Sequence, residues 1–118
     1  MNNRSLLHPA MNESATLLLA AFPGTITSTW RSYNEQRALR RNYERGRSKF
    51  PAEQPGNSTH HTGLAFDFVT RRPELQREAG RWWTRYGGRW SSTDWIHFEH
   101  PYARAALREG LTSRRWWR

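Results

Sequence analysis

Ser58-Thr59-His60-His61-Thr62-Gly63-Leu64-Ala65-Phe66-Asp67-Phe68-Val69 is the stretch on which the fold turns. From Leu64 to Val69 it is apolar except at Asp67, and such a run reads as a buried strand. An aspartate inside it is costly to bury unless it is paired or bound to a metal. On composition alone, a salt bridge to one of the many arginines is the commoner explanation, with metal ligation the rarer one. The histidines just upstream, His60 and His61, keep the second explanation open.

Working outward, residues about 10–22 predict a helix stopped by Pro23-Gly24. Thr25 to Trp30 alternates and is β-branched, which predicts a strand. Ser32 is placed to cap a second helix, with Glu35 at the capping-box position, running to about Arg45 and ending at Gly46. Two prolines and a glycine between Arg47 and Asn57 predict an irregular surface loop. Downstream, Pro73 opens a third helix to about Arg85, broken by Gly87-Gly88. Trp95 to Glu99 reads as another strand, and Pro101 starts a short helix ending near Gly110. The expected class is α+β, a small antiparallel sheet flanked by helices, in a single domain over residues 1–118.

The chain has 118 residues and a formal net charge of +9, with Lys49 its only lysine and no cysteine. Without cysteine, disulfides, thiolate metal sites and cysteine nucleophiles are excluded, so any metal must be held by His and Asp or Glu. The positive charge concentrates polyanions near the surface without saying which. No segment is long enough to cross a bilayer. The run from Ala15 to Phe22 lacks the flanks of a signal peptide and reads as a buried helix. The expectation is therefore synthesis in the cytoplasm without a signal peptide.

Four of the five histidines and several carboxylates crowd into two segments, residues 58–68 and Asp94-Trp95-Ile96-His97-Phe98-Glu99-His100. A catalytic zinc typically takes three protein ligands and leaves a position for water, a set that two His and one Asp can supply. A nearby carboxylate can then take a proton from the acidified water. Each histidine alone reads as readily as a capping or hydrogen-bonding residue; their joint appearance favours chemistry.

His60-x-x-Gly63-x-Ala65-x-Asp67, followed by Asp94-x-x-His97-Phe98-Glu99, resembles the D-alanyl-D-alanine carboxypeptidases and the phage L-alanyl-D-glutamate endopeptidases, with their hedgehog-related fold. Trp30-Arg31-Ser32-Tyr33-x-x-Gln36 is similar to the family's upstream motif, and the resemblance spans roughly residues 8 to 102. It implies one zinc per chain on His60, Asp67 and His97. It also implies Asp94 as general base, Arg31 as a cation for the oxyanion or a substrate carboxylate, and Ser58 and Gln36 as substrate-positioning groups. Aspartate at position 94, where many relatives carry glutamate, is similar to the endopeptidase branch. The resemblance thus implies an endolysin-type zinc endopeptidase that cuts the L-Ala–D-Glu bond of the peptidoglycan stem peptide. The first alternative is a carboxypeptidase trimming D-Ala; the second, of another class, is a non-catalytic basic module for wall polymer or nucleic acid. His61 has no assigned role beyond the loop. Glu99 shares a strand face with His97 and could hold a ligand's ring or pair with an arginine.

Trp82, Trp83 and Trp90 are expected in the core, and Trp95 in packing before cleft lining. The tail Ser113-Arg114-Arg115-Trp116-Trp117-Arg118 has the composition of membrane-active peptides. A frayed end, or a tryptophan pair closing a small core, is the preferred reading. A monomer is expected, with no separate wall-binding module and no dedicated nucleic-acid partner. Its partners are the stem peptide and an anionic envelope surface met through charge and tail.

Overall fold

The protein, seen in a computed structural model that describes residues 3–118, is built on a four-stranded antiparallel sheet. The strands are β1 (Gly24–Ser28), β2 (Ala65–Thr70), β3 (Arg89–Ser91) and β4 (Asp94–Glu99), in the order β1-β2-β4-β3. The helices are α1 (Pro9–Ala21), α2 (Tyr33–Glu44), α3 (Gln76–Arg85) and α4 (Ala103–Arg108). Among the described residues there are also three short 3-10 turns, at Arg4–Leu6, Thr59–Thr62 and Pro73–Leu75. This is the α+β architecture that the order of sequence signals implies.

Period-two alternation divides the sheet into two faces. Phe66 pairs with Phe98 across β2 and β4, and with Phe68 these rings are fully buried on one face. Each ring removed from water contributes about 1.5–3 kcal/mol. Met11, Ala15 and Leu18, spaced along one stripe of α1, and Ala79 and Trp83 of α3 close over that face. The next register pair, Asp67 opposite His97, points to the other face, where α2 and the 46–57 loop stand. Hence the apolar strand buries its phenylalanines on one side and delivers its single acid to the other.

α2 starts where the sequence places it, on a complete capping box between Ser32 and Glu35. Only Gln36 of α2 is buried, so this helix borders the cleft and does not build the core. Several boundaries differ from the sequence reading. β1 stops at Ser28 because Trp30 and Arg31 turn away to hydrogen-bond with residues 60 and 61. Residues 73–75 form a 3-10 turn, and the α-helix begins only at Gln76. β3 was not expected, being three residues hidden behind Gly87-Gly88. Trp83 is buried, and Trp82 and Trp90 pack partly buried against the core. Trp95, in contrast, is an exposed residue of β4 outside the cleft lining, where packing was expected. The tail is docked: the Trp116 indole donates to Thr62 O at 2.7 Å, and Trp117 lies against Gly63 and His8.

Candidate metal centre

The local fold of residues 58–63 sets the site. Ser58 caps the 3-10 turn, its Oγ accepting from His60 N at 3.2 Å, and Gly63 ends it at φ 73°, a left-handed conformation that glycine adopts without strain. The turn is laced to the segment after β1 from both directions. His60 Nδ1 donates to Thr29 O at 2.8 Å, and Arg31 N donates to His60 O at 3.2 Å. Trp30 Nε1 donates to His61 O at 2.9 Å, and His61 Nδ1 donates to Arg31 O at 2.8 Å. With its Nδ1 hydrogen committed to a carbonyl, His60 presents a bare Nε2 lone pair to the interior of the site.

Three ligand-type atoms converge there. His60 Nε2 lies 3.1 Å from Asp67 Oδ1, His97 Nδ1 lies 3.2 Å from His60 Nε2, and His97 Nδ1 lies 3.5 Å from Asp67 Oδ1. A tetrahedral ion with bonds of about 2.0–2.1 Å holds its ligand atoms about 3.4 Å apart, so the triangle has the size that zinc requires. The electron count agrees. His60 Nε2 and Asp67 Oδ1 are both acceptors, and acceptors so close need a cation between or beside them. Burial lowers the pKa of His60 to about 4, so it is not itself that cation at neutral pH. Burial also disfavours the charged form of His97, but its hydrogen bonds to Asp67 and Glu99 win and raise it to about 9. The His97 proton supplies the positive charge that a metal would bring. The residues present therefore fit a zinc ion.

Around the triangle stands a second layer of contacts. Arg31 Nη2 meets Asp67 Oδ2 at 2.6 Å, leaving Oδ1 for the centre. Burial would push the Asp67 carboxyl up, yet His60, His97 and Arg31 together hold it well below the usual range. The same guanidinium donates from Nε to Ser28 Oγ at 2.8 Å and from Nη1 to Gln36 Oε1 at 3.2 Å. Glu99 is buried and takes both alternatives left open by the sequence. Its Oε1 accepts from His97 Nε2 at 2.8 Å, from Thr59 Oγ1 at 3.0 Å and from Arg104 Nη2 at 3.2 Å. A hydrogen bond at Nε2 turns Nδ1 of His97 toward the other two ligand atoms, His60 Nε2 and Asp67 Oδ1.

All of this opens on a cleft of about 610 Å³, which Asp94, Ser58, Gln36, Glu53, Asn57, Ile96 and Arg104 also line. Burial raises the Asp94 carboxyl to about 6, with His97 pulling it down and the Asp67 and Glu53 charges pushing it up. The cleft thus gathers the seven residues to which the resemblance gives a role: Arg31, Gln36, Ser58, His60, Asp67, Asp94 and His97. The structure gives Ser58 a capping bond and engages both ends of the Gln36 amide, Nε2 reaching Glu53 O at 2.9 Å. The sequence reading missed Thr59, Arg104 and Glu53. Thr59 could have been suspected from its place beside His60; nothing local marks the other two.

Residues 7–116 match the family described as VanY, D-alanyl-D-alanine carboxypeptidase. Among solved structures, DacB from Streptococcus pneumoniae D39 is similar at 23% identity and TM-score 0.62, covering 94% of this chain and 76% of that one. A mutant of the vancomycin resistance D,D-pentapeptidase VanY from a VanB-type resistance cassette, in complex with Zn(II), aligns at 16% identity and TM-score 0.64, over 95% of this chain and 84% of that one. VanYB in complex with D-alanine-D-alanine aligns at 17% identity and TM-score 0.66, over 89% and 78%. At these identities the likenesses speak for the fold. No curated protein matches the chain at a significant level.

Proposed function

The chain belongs to the D-alanyl-D-alanine carboxypeptidase family, metallopeptidases acting on peptidoglycan, and from that premise we propose a zinc-dependent endopeptidase that cuts the L-Ala–D-Glu bond of the stem peptide. The observation that carries the zinc-peptidase reading is the His60–Asp67–His97 triangle, sized for zinc and sharing one cleft with Asp94. When bound, zinc supplies Lewis acidity, acidifying water and polarising the scissile carbonyl.

The chain's own groups do the rest. Asp94, a carboxylate above about pH 6, accepts a proton from the attacking water and passes it to the departing amine nitrogen. Arg31 orients Asp67 through Oδ2, and its fixed positive charge lines the cleft, where negative charge develops on the carbonyl oxygen. Gln36 and Ser58 fix the walls against which the peptide is positioned. Preference for the endopeptidase rests on aspartate at position 94 and on Arg31 being tied to Asp67, Ser28 and Gln36, not held free for a terminal carboxylate.

A carboxypeptidase is the second reading, favoured by one observation: the exposed Arg104 guanidinium lines the cleft and could receive a terminal carboxylate. Digestion of muropeptides followed by mass spectrometry, with and without chelator, separates the readings. Chelator-sensitive scission between L-Ala and D-Glu is expected. Loss of a single alanine would establish the carboxypeptidase, and chelator-indifferent or absent cleavage would leave the basic binding module. We further propose that the positive surface adsorbs the enzyme to an anionic envelope.

A further inference from the structure

We propose that Glu53 determines substrate specificity in the cleft, its carboxylate receiving a primary ammonium carried on a side chain of the peptide. The inference rests on the cleft being the peptide site, and goes beyond the assignment of the scissile bond.

Four carboxylates line the cleft: Glu53, Asp67, Asp94 and Glu99. Asp67 is answered by Arg31 and His60, and Glu99 by Arg104, Thr59 and His97. Asp94 has the proton-transfer role. The Glu53 carboxylate alone has neither a role nor, among the described residues, a hydrogen bond or ion pair. It is exposed to solvent and unpaired in a chain whose cations outnumber its acids by 19 to 10. The cleft's own guanidinium groups, on Arg31 and Arg104, are turned to Asp67 and Glu99, so neither neutralises it.

The backbone that carries Glu53 is anchored. Gln36 Nε2 donates to Glu53 O at 2.9 Å, and Arg40 Nη1 donates to Ala52 O at 2.9 Å. Three residues on, Gly56 N donates to His61 Nε2 at 3.0 Å, and Asn57 N donates to Gln54 O at 3.0 Å. Pro51 and Pro55 stiffen the same stretch. This gives His61 a function: with Nδ1 on Arg31 O and Nε2 on Gly56 N, its ring clips the loop to the wall of the site. A loop fixed at so many points holds the Glu53 backbone in place at the cleft wall, and the exposed side chain that it carries there is an unanswered carboxylate.

Electrostatics gives the sign of the guest. The Glu53 charge is felt at Asp94, where it favours the neutral form. A cation lodged beside Glu53 relieves that repulsion. A carboxylate accepts from an ammonium and a guanidinium alike; the ammonium is the cation that the lysine-bearing peptide of the test supplies.

The test uses the zinc-loaded chain with Asp94→Asn to prevent turnover, and the pentapeptide L-Ala-D-γ-Glu-L-Lys-D-Ala-D-Ala with its lysine amine free or acetylated. Calorimetry should give tighter binding of the free-amine peptide, by about tenfold, the scale of one charged hydrogen bond. Adding Glu53→Gln should bring that ratio to about one. Equal affinities before the second substitution, a ratio that survives it, or no binding of either peptide would overturn the proposal. Cleavage by the unsubstituted zinc enzyme is scored separately. Discrimination in binding without hydrolysis would sustain Glu53 while overturning the peptidase reading.

Discussion

Asp67 Oδ1, His60 Nε2 and His97 Nδ1 are crowded within 3.1–3.5 Å because each ring has its other nitrogen engaged elsewhere, His60 on Thr29 O and His97 on Glu99. The linkage has a definite sign. The folded pKa of His97, about 9, lies above its ordinary 6.5, so the proton on His97 contributes stability to the metal-free fold. That contribution is complete below about 6.5 and lost as pH rises through about 9. Zinc needs the neutral ring, so binding must expel the proton throughout that window. Calorimetric zinc titration at pH 7.5, in two buffers of different ionisation enthalpy, should therefore show about one proton released per ion. Zinc affinity should rise up to tenfold per pH unit until about pH 9. Proton-neutral binding would mean that His97 is not a ligand. The triangle was legible in the sequence because its members sit in two short motifs. Glu53 and Arg104 were not, because each enters the cleft through tertiary placement: Glu53 on a loop held from α2 and residue 61, Arg104 on a helix beyond β4.

At the scale of elements, the strands and helices with a strong local signature lie where the sequence puts them. The capping box of α2 and the apolar run of β2 are the clearest. β3 escaped because Arg89-Trp90-Ser91 has neither length nor alternation; it exists through pairing with β4, which supplies the hydrogen bonds. Its Trp90 explains an otherwise costly glycine. Gly80 lies in the middle of α3, where glycine is disfavoured, and a Cβ there would fall inside the Trp90 indole. Gly80→Ala should thus destabilise the protein by about 1–3 kcal/mol despite its better helix propensity, because overpacking outweighs propensity. Urea unfolding measures this, and a stabilised variant would show that β3 does not dock as described. Zinc binding by the folded fraction should persist, since α3 lies on the sheet face away from the triangle.

For the molecule as a whole, the question is what a charge of +9 does for an enzyme whose chemistry takes place in one cleft. Arg77, Arg81 and Arg85 are exposed along α3, and Arg37 and Arg41 along α2, without an ion pair among the described residues. Arginines four residues apart stand about 6 Å from one another along a helix, and like charges at that spacing cost about 0.2–0.5 kcal/mol per pair. The adsorption proposed above would set a polyanion across these rows and relieve that repulsion. α3 covers the core face of the sheet and the cleft opens on the other, so adsorption through α3 leaves the cleft uncovered. Screening gives the decisive comparison, because the Debye length shrinks from about 10 Å at 0.1 M salt to about 3 Å at 1 M. Raising salt across that range should slow hydrolysis of intact walls severalfold while leaving cleavage of a short soluble stem peptide nearly unchanged. Replacing Arg77, Arg81 and Arg85 by glutamine should lower wall hydrolysis at low salt and flatten its salt dependence. If the soluble peptide and the intact wall lost activity in parallel, the salt would be acting on the cleft itself, and the arginine rows would have no part in bringing the enzyme to its substrate.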